Sequence, residues 1–189
     1  MSDSTRDQLI TAAASLLDSG GQEAVTLRAV AQRVGVSHNA PYRHFRDRAA
    51  LLAAVAQRDF VWMRGAFGAA LSGGPDAAAS LRTAAAALID YAHSHRARYR
   101  LLFSDRGLMP EPELSAAAFA CFEAFAAIVA RAQGEGALPP VETVRLTGLI
   151  YAAVHGAIDL ELGGRGGGKK GLGSVEATVG LLLELLGRR

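Results

Sequence analysis

One short stretch of the chain concentrates side chains that can hydrogen-bond, carry charge or hold a metal: GVSHNAPYRHF, residues 35–45. It places His38, Asn39, Tyr42 and His44 around a proline. It lacks the apolar repeat of three to four residues that marks a core helix. Its polar groups therefore need a partner outside the core, which is a metal ion, a small substrate or a nucleic acid.

The spacing of the histidines disfavours a metal. His38 and His44 are six residues apart and would lie on different faces of a helix, and no third ligand is placed to complete a site. The single cysteine, Cys121, excludes an internal disulfide and a cysteine-rich zinc site, and we expect it to pack rather than react. We predict neither a metal nor a cofactor.

Composition limits the class of protein. The 189 residues are 50% hydrophobic, which is enough for a substantial core, and the formal net charge is only +2. The pI of about 9.0 is too mild to indicate a nucleic-acid partner by itself. The N-terminal MSDSTRDQLI does not resemble a targeting sequence, and no run approaches about 18 uninterrupted apolar residues. We expect a cytoplasmic protein with no membrane association.

The elements that must position the polar stretch are helices, because alanine and leucine dominate and alternating strand patterns are nearly absent. We predict an all-α fold. The first helix is predicted to begin near Ser4 or Thr5, where Thr5 and Gln8 have capping-box spacing, and to stop at Gly20 and Gly21. Three further helices are predicted to begin after Thr26, after Ser37 (through about His44) and after Asp47 (towards Leu71). The remaining helices are predicted at Ala77–His95, Ala97–Ser104, Pro112–Gln133, Val141–Leu162 and Ser174–Leu186. SGGPD, residues 72–76, is a candidate break, and the glycine-rich residues 163–173 are interpreted as a connector, with anion binding as the alternative.

Two short helices joined at Gly35 have the proportions of a helix-turn-helix, whose second helix enters the major groove of DNA. Charge is concentrated in the same place. Between Thr26 and Arg48 there are five arginines and a single acid, Asp47. This is a local electrostatic footprint of nucleic-acid binding on a chain that is otherwise balanced.

The segment TLRAVAQRVGVSHNAPYRHFRDRAALLAAV, residues 26–55, closely resembles the DNA-binding region of the TetR family of bacterial transcription regulators. The resemblance implies an N-terminal helix-turn-helix head of three short helices, residues 1–50, and a larger ligand-binding and dimerisation domain, residues 51–189. The segments LIYAAVHGAIDLEL and HSHRARYRLLF look like the branch with a Trp-His-Gly signature, although Tyr151 stands in the tryptophan position before His155 and Gly156.

The resemblance divides the polar side chains into two groups. The first residues of a recognition helix face base edges, so the expected readers are Ser37, His38, Asn39 and Ala40. Asn39 can pair with adenine and Ala40 can contact a thymine methyl group. The expected phosphate contacts are Tyr42, His44, Thr26, Arg28 and Arg48, the last in a position where the family usually has lysine.

Aromatic and sulfur side chains recur along the larger domain and could line an apolar cavity for a small molecule. The candidate ligand residues are Trp62, Met63, Phe67, Tyr91, Phe103, Phe119, Phe122, Tyr151 and His155. The alternative is that most of them fill the core, and that His155 is a hydrogen-bonded core histidine.

The last two helices carry more apolar surface than one core-facing stripe requires. Gly148, Ala152 and Gly156 recur every four residues and would admit a close helix from either the same chain or a second copy. We predict a four-helix dimer interface formed by Gly148, Ala152, Gly156, Val179, Leu182, Leu183 and Leu186. Two-fold symmetry then predicts a palindromic operator.

These features together predict a homodimeric, ligand-responsive regulator that binds double-stranded DNA. The resemblance implies a repressor that a small, hydrophobic molecule releases from its operator. The alternative is a DNA-binding protein without a sensor. An enzyme is disfavoured, because Gly-x-Ser-x-Gly and His-Glu-x-x-His motifs are absent from the sequence and the neighbouring His93 and His95 point apart on a helix.

Overall fold

A computed structural model describes residues 4–103, 111–166 and 171–187. Its described residues form α-helices and one 3₁₀ turn, with no strand. The helices are α1 (Thr5–Ala24), α2 (Leu27–Val34), α3 (Arg48–Gly73), α4 (Ala77–Ser94), α5 (Arg96–Phe103), α6 (Pro112–Gly134), α7 (Thr143–Leu162) and α8 (Val175–Gly187), with the 3₁₀ turn at Pro41–Arg43. The all-α prediction is confirmed. Position 104, the predicted end of α5, and positions 167–170 of the glycine-rich connector lie outside the described residues.

Two details of α1 differ from the sequence prediction. The side chain that caps its first turn is Ser4, whose hydroxyl oxygen accepts a hydrogen bond from the Asp7 amide at 3.2 Å. Gly21, with a φ of +68° and a ψ of −172°, interrupts the helix at the predicted stop, and a short helical stretch resumes beyond it as far as Ala24. Only glycine takes up such a backbone conformation at little cost.

The chain forms two compact units. The first contains Met1–Val61 and His95–Ala118, and the second contains Trp62–Ser94 and Phe119–Arg189. Helix α5 therefore belongs to the unit that contains the helix-turn-helix. The functional division expected at residue 50 is a separate matter and stays a prediction.

A buried ion pair helps hold the first unit together. Asp59 of α3 is 1% exposed, and Arg98 of α5 donates to it through Nε at 2.9 Å and through Nη2. Asp18 of α1 lies 3.3 Å from Arg98 Nη1 and 3.0 Å from the Nδ1 atom of His95. Removing one partner of such a pair would leave a buried charge uncompensated. The network connects α5 to α1 and α3, the helices that precede and follow the helix-turn-helix residues.

In the second unit, α4, α7 and α8 each pack against the other two. Ile150 and Ile158 of α7 and Val175 of α8 are almost fully buried in its core. Glu161 joins the three helices, because one oxygen lies 2.6 Å from His93 Nε2 on α4 and the other accepts from the Val175 amide at 3.1 Å.

Helix α6 is both long and apolar. Among the described residues it is the one helix whose length and mean hydropathy, 1.7 over 18 residues, match those of a membrane-spanning segment. Buried helices of water-soluble domains meet the same two criteria. Here 28% of the apolar window is buried, and the exposed Glu123 interrupts it.

Candidate nucleic-acid interface

Local capping chemistry sets the direction of α2 and of the segment that follows it. The Thr26 hydroxyl oxygen accepts a hydrogen bond from the Ala29 amide at 3.0 Å, as expected of an N-cap. Gly35 ends the helix with a φ of +78°, and its amide donates to the carbonyls of Ala31 and Gln32. The left-handed conformation turns the chain sharply, so that residues 37–44 leave α2 at a defined angle. We call residues 37–44 the recognition segment.

The prediction of a regular third helix over the recognition segment is wrong. Most of its hydrogen bonds are of the 3₁₀ type, with Ala40 donating to the Ser37 carbonyl at 3.0 Å and His44 to the Pro41 carbonyl at 3.0 Å, and one α-type bond follows at its end, from the Phe45 amide to the Pro41 carbonyl at 2.9 Å. Pro41 explains the difference in part, because it has no N–H to complete the α-helical bond to Ser37. The segment is a tight pair of turns that ends at Phe45.

The recognition segment separates its apolar and polar side chains. Pro41 and Phe45 face the core, and Phe45 is 4% exposed. Tyr42 is 61% exposed, and Ala40 is half-buried. The exposed polar side chains are Ser37, His38, Asn39, Tyr42, Arg43 and His44. Every polar side chain of the segment can therefore meet a partner from solvent.

Three of the five arginines in this region are engaged within the chain. Arg33 donates to the Ser15 hydroxyl at 3.0 Å, Arg46 forms ion pairs with two carboxylates, and Arg48 binds backbone carbonyls. Arg28 and Arg43 are exposed, and neither has a carboxylate within ion-pair distance among the described residues. Arg43 contributes to the charge footprint of the sequence but is not among the contact residues predicted from it.

Arg48 has a structural partner that the sequence does not reveal. Its Nε donates to the Val25 carbonyl at 2.7 Å, and its Nη2 donates to the Gln22 carbonyl. These carbonyls lie at the C-terminal end of α1, where the last carbonyls have no amide of a following helical turn to accept from, although Gln22 also accepts from the Val25 amide. Because the guanidinium is used to hold α1 to the start of α3, the phosphate contact expected of Arg48 is not part of the surface proposed below.

Thr26 and Arg28 are exposed at the N-terminus of α2. The Thr26 hydroxyl accepts one hydrogen bond in the cap and can still donate its own proton. Free backbone amides and the positive end of the helix dipole favour an anion at such a terminus. The two residues thus keep the geometry that a phosphate contact requires.

The predicted ligand residues of the second unit form aromatic pairs. Trp62 stacks on Tyr91 with ring centroids 5.5 Å apart, and Phe122 meets Tyr151 edge-on at 5.9 Å. Tyr151 also lies 4.1 Å from the ring of His155. Met63, Phe67 and Tyr91 are buried, whereas Trp62 and Phe119 are more than half exposed. Phe103 does not belong to this unit, because it packs in the first one against Phe60 at 5.6 Å and Tyr99 at 5.0 Å.

Burial sets the protonation of this aromatic region. It lowers the pKa of the His155 imidazole from 6.5 to about 4, so the ring is neutral at physiological pH and can both donate and accept. It also raises the pKa of the Tyr151 hydroxyl, with a smaller contribution from Cys121, and raises the pKa of the Cys121 thiol to about 12. The region therefore presents uncharged polar groups among aromatic rings.

The predicted dimer residues fall on both sides of α7 and α8. Ala152 and Gly156 are exposed and Gly148 is half-buried. A methyl group added at Gly148 or Gly156 would meet nothing within 4 Å among the described residues, so this part of the chain places no helix against that stripe. Val179, in contrast, is 4% exposed within its own chain. Leu182, Leu183 and Leu186 are half-buried.

Other residues of α7 and α8 face solvent instead. Val144 and Leu149 of α7 are 61% and 55% exposed, and Leu181 and Leu185 of α8 are 54% and 55% exposed. Leu181 and Leu185 belong to the broad apolar surface of α8 that led to the dimer prediction, but they are not among the interface residues predicted from the sequence, because apolar residues occur on most sides of this helix.

Comparisons with known proteins agree with this architecture. Residues 9–55 match the family described as bacterial regulatory proteins, tetR family, and residues 81–185 match a tetracyclin repressor-like C-terminal domain. The chain is 31% identical over 136 residues to the HTH-type transcriptional activator FasR of Mycolicibacterium smegmatis. That alignment covers 70% of this chain and 62% of the relative, so the chain spans less than two thirds of FasR. The Trp-His-Gly branch stays a prediction.

Solved structures resemble the whole chain. A protein of unknown function from a Rhodococcus species superposes with a TM-score of 0.83 at 29% identity, covering 99% of this chain and 97% of that chain. The TetR family transcriptional regulator PfmR from Thermus thermophilus superposes with a TM-score of 0.69 at 21% identity, covering 96% of this chain and 98% of that chain. At 21% identity the second likeness shows the fold alone.

Proposed function

This chain belongs to the TetR family of bacterial regulatory proteins, and from that premise we propose that it is a ligand-responsive regulator that binds a palindromic operator as a homodimer. One observation carries the proposal. The recognition segment exposes all of its polar side chains, and two exposed arginines, Arg28 at the start of α2 and Arg43 within the segment, have no carboxylate partner in the part of the chain that the structure describes. A surface of this kind matches the negative backbone and the polar base edges of DNA.

The exposed groups divide into readers and anchors. We assign base contacts to Ser37, His38 and Asn39, with Asn39 pairing with adenine through its amide, and an apolar contact with a thymine methyl to Ala40. The phosphate contacts are assigned to Thr26, Arg28, Tyr42 and His44, to which we add Arg43. Phosphate contacts fix the register of the protein on DNA, and base contacts select the sequence.

Homodimerisation is supported by the solvent-facing side of α7 and α8. The open stripe at Gly148 and Gly156 leaves space for a close helix, and Leu149, Leu181 and Leu185 expose apolar surface around it. Such a surface is costly to leave in water. The proposed interface therefore retains Gly148, Ala152 and Gly156 and the exposed edges of Leu182, Leu183 and Leu186. Val179 is left out because it is buried in its own chain, and Leu149, Leu181 and Leu185 are added. The same surface of a second copy completes the interface.

The second unit is the proposed sensor. Its aromatic pairs, together with the neutral His155, supply apolar walls and a few polar groups, which is the usual composition of a small-molecule site. We propose a hydrophobic effector with one hydrogen-bonding group. Bound there, it would act on DNA only if it prefers one conformation of the dimer over another.

We propose repression as the direction of control. A second candidate, activation, is favoured by one specific observation, the similarity to a relative named as a transcriptional activator. A reporter assay in which the operator is placed either across or upstream of a promoter distinguishes them. Lower expression in both arrangements supports repression, and higher expression from the upstream position supports activation.

Selection of bound sites from random-sequence DNA by the purified chain tests the core of the proposal. A recovered inverted repeat is the expected result, and absence of any enriched sequence would refute it. Adding hydrophobic small molecules to the complex then separates a sensor from a constitutive DNA-binding protein. A compound that both raises the melting temperature and releases the selected duplex supports the sensor.

A further inference from the structure

Arg46 lies two residues beyond the recognition segment and is held by two acids of its own chain. Its Nη2 atom lies 2.5 Å from Oε1 of Glu111, and its Nε atom lies 3.3 Å from Oδ2 of Asp47. The Arg46 side chain is 64% exposed, so a DNA phosphate can reach it. Three anions, two of them intramolecular, can therefore compete for this guanidinium.

The two acids are not equivalent. Asp47 caps α3, because its Oδ1 accepts a hydrogen bond from the Ala50 amide at 2.8 Å. Its position is dictated by the start of that helix. Glu111 directly precedes α6, 65 residues further along the chain, and its carboxylate pairs with Arg46 rather than with a backbone amide of α3. It is thus the partner that can be removed without disturbing the start of α3.

Glu111 and Arg46 lie on the wall of an open groove in the first unit, with a volume of about 390 Å³. The groove is also lined by His44 and by Arg6, whose guanidinium carbon lies 5.4 Å from the centroid of the Phe45 ring. Glu113 lines the same groove two residues after Glu111 and forms no ion pair among the described residues. The acids therefore stand beside the phosphate contact proposed at His44.

We propose that Glu111 is an intramolecular competitor of the DNA backbone for Arg46, and that this ion pair lowers the affinity of the free regulator for DNA. The inference rests on the proposed function and specifies how the same surface is held in check. An exposed ion pair contributes little, so a phosphate can displace the carboxylate. Breaking the ion pair nevertheless reduces the net free energy of DNA binding whenever Arg46 contacts a phosphate.

Glu111→Gln tests the competition in the full-length chain. The substitution removes the charge and keeps the size, so Arg46 becomes available to a phosphate. Binding to a duplex selected by the wild type should tighten roughly two- to five-fold per subunit at low salt, the range expected for an exposed ion pair. The slope of log K against log salt should steepen by up to about 0.9 per subunit, because the Arg46 side chain of each subunit neutralises one more phosphate. A random-sequence duplex should show the same gain.

Two matched variants separate local competition from a general loss of negative charge. Glu113→Gln removes the same charge from the same groove and should leave affinity unchanged. In an Arg46→Gln background, Glu111→Gln should have no effect. Thermal unfolding confirms that each variant is folded.

An unchanged affinity for Glu111→Gln, an equal gain for Glu113→Gln, or a gain that persists without Arg46 would each overturn the inference while leaving the proposed function intact. A wild-type chain that selects no DNA would instead overturn the proposed function, and the competition with it.

Discussion

His155 on α7 should make the folded chain lose stability in mild acid, and His155→Phe should remove that loss. Burial keeps the pKa of the imidazole at about 4 in the folded chain. In the unfolded chain the ring is hydrated and takes up a proton as the pH falls through about 6.5. Between these values the unfolded state binds more protons than the folded state, so the free energy of unfolding falls as the pH falls.

The size of the effect follows from the two pKa values. With 6.5 unfolded and about 4 folded, the proton balance of this one group costs about 1.3 kcal/mol between pH 7.5 and 5.5. The cost grows to about 2.5 kcal/mol by pH 4.5. The free energy of unfolding lost to this group is small above pH 6.5, grows as the pH falls below that value and stops growing below about pH 4.

Urea unfolding at fixed protein concentration measures this contribution, since the stability of an oligomer depends on its concentration. Carboxylates titrate in the same range but are common to all variants, so the difference between wild type and His155→Phe isolates the imidazole. His38→Asn is the control, because His38 is hydrated in both states. If His155→Phe loses as much stability as the wild type between pH 7.5 and 5.5, His155 is not a desolvated neutral histidine.

Four further substitutions test the DNA contacts, the dimer interface and the hydrogen bonds of Arg48. Tyr42→Phe should weaken binding to specific and to random-sequence DNA alike, by about 1 kcal/mol, because a phosphate contact is lost. Asn39→Ala should instead reduce the preference for the correct base at one position by about 1–3 kcal/mol. Binding titrations that show the reversed pattern would contradict the assignment. Leu185→Glu should give a folded monomer in a sedimentation experiment. The single chain tolerates the change because Leu185 is 55% exposed in it, whereas a dimer would bury the unpaired charge of the glutamate. A dimer that persists would place the interface elsewhere. Arg48→Lys should lower the free energy of unfolding by about 1 kcal/mol, because lysine lacks the forked guanidinium that reaches two carbonyls. The slope of log K against log salt for DNA binding should not change. A shallower slope would show that Arg48 contacts a phosphate after all.

Local chemistry was sufficient to place most helices. Thr26 and Gly35 delimit α2 because a hydroxyl oxygen can accept an orphan amide and because glycine tolerates a positive φ, and both effects act within a few residues. The family resemblance rests on the same short stretch and is confirmed. The 3₁₀ geometry of the recognition segment was missed, although Pro41, its partial cause, is visible in the sequence. A proline in a first turn is compatible with either kind of helix, and packing of Phe45 into the core accompanies the tighter one.

Only the tertiary structure decided which charges and apolar faces remain available. Arg48 reaches the Val25 carbonyl across 23 residues, and Arg46 reaches Glu111 across 65. No local pattern encodes either pairing, because each depends on how separate helices are brought together. The same holds for α8, where Val179 turns inward and Leu185 outward. A helix that is apolar on most of its circumference carries only a weak periodic signal of its buried side, so the neighbours it packs against determine which leucines meet solvent.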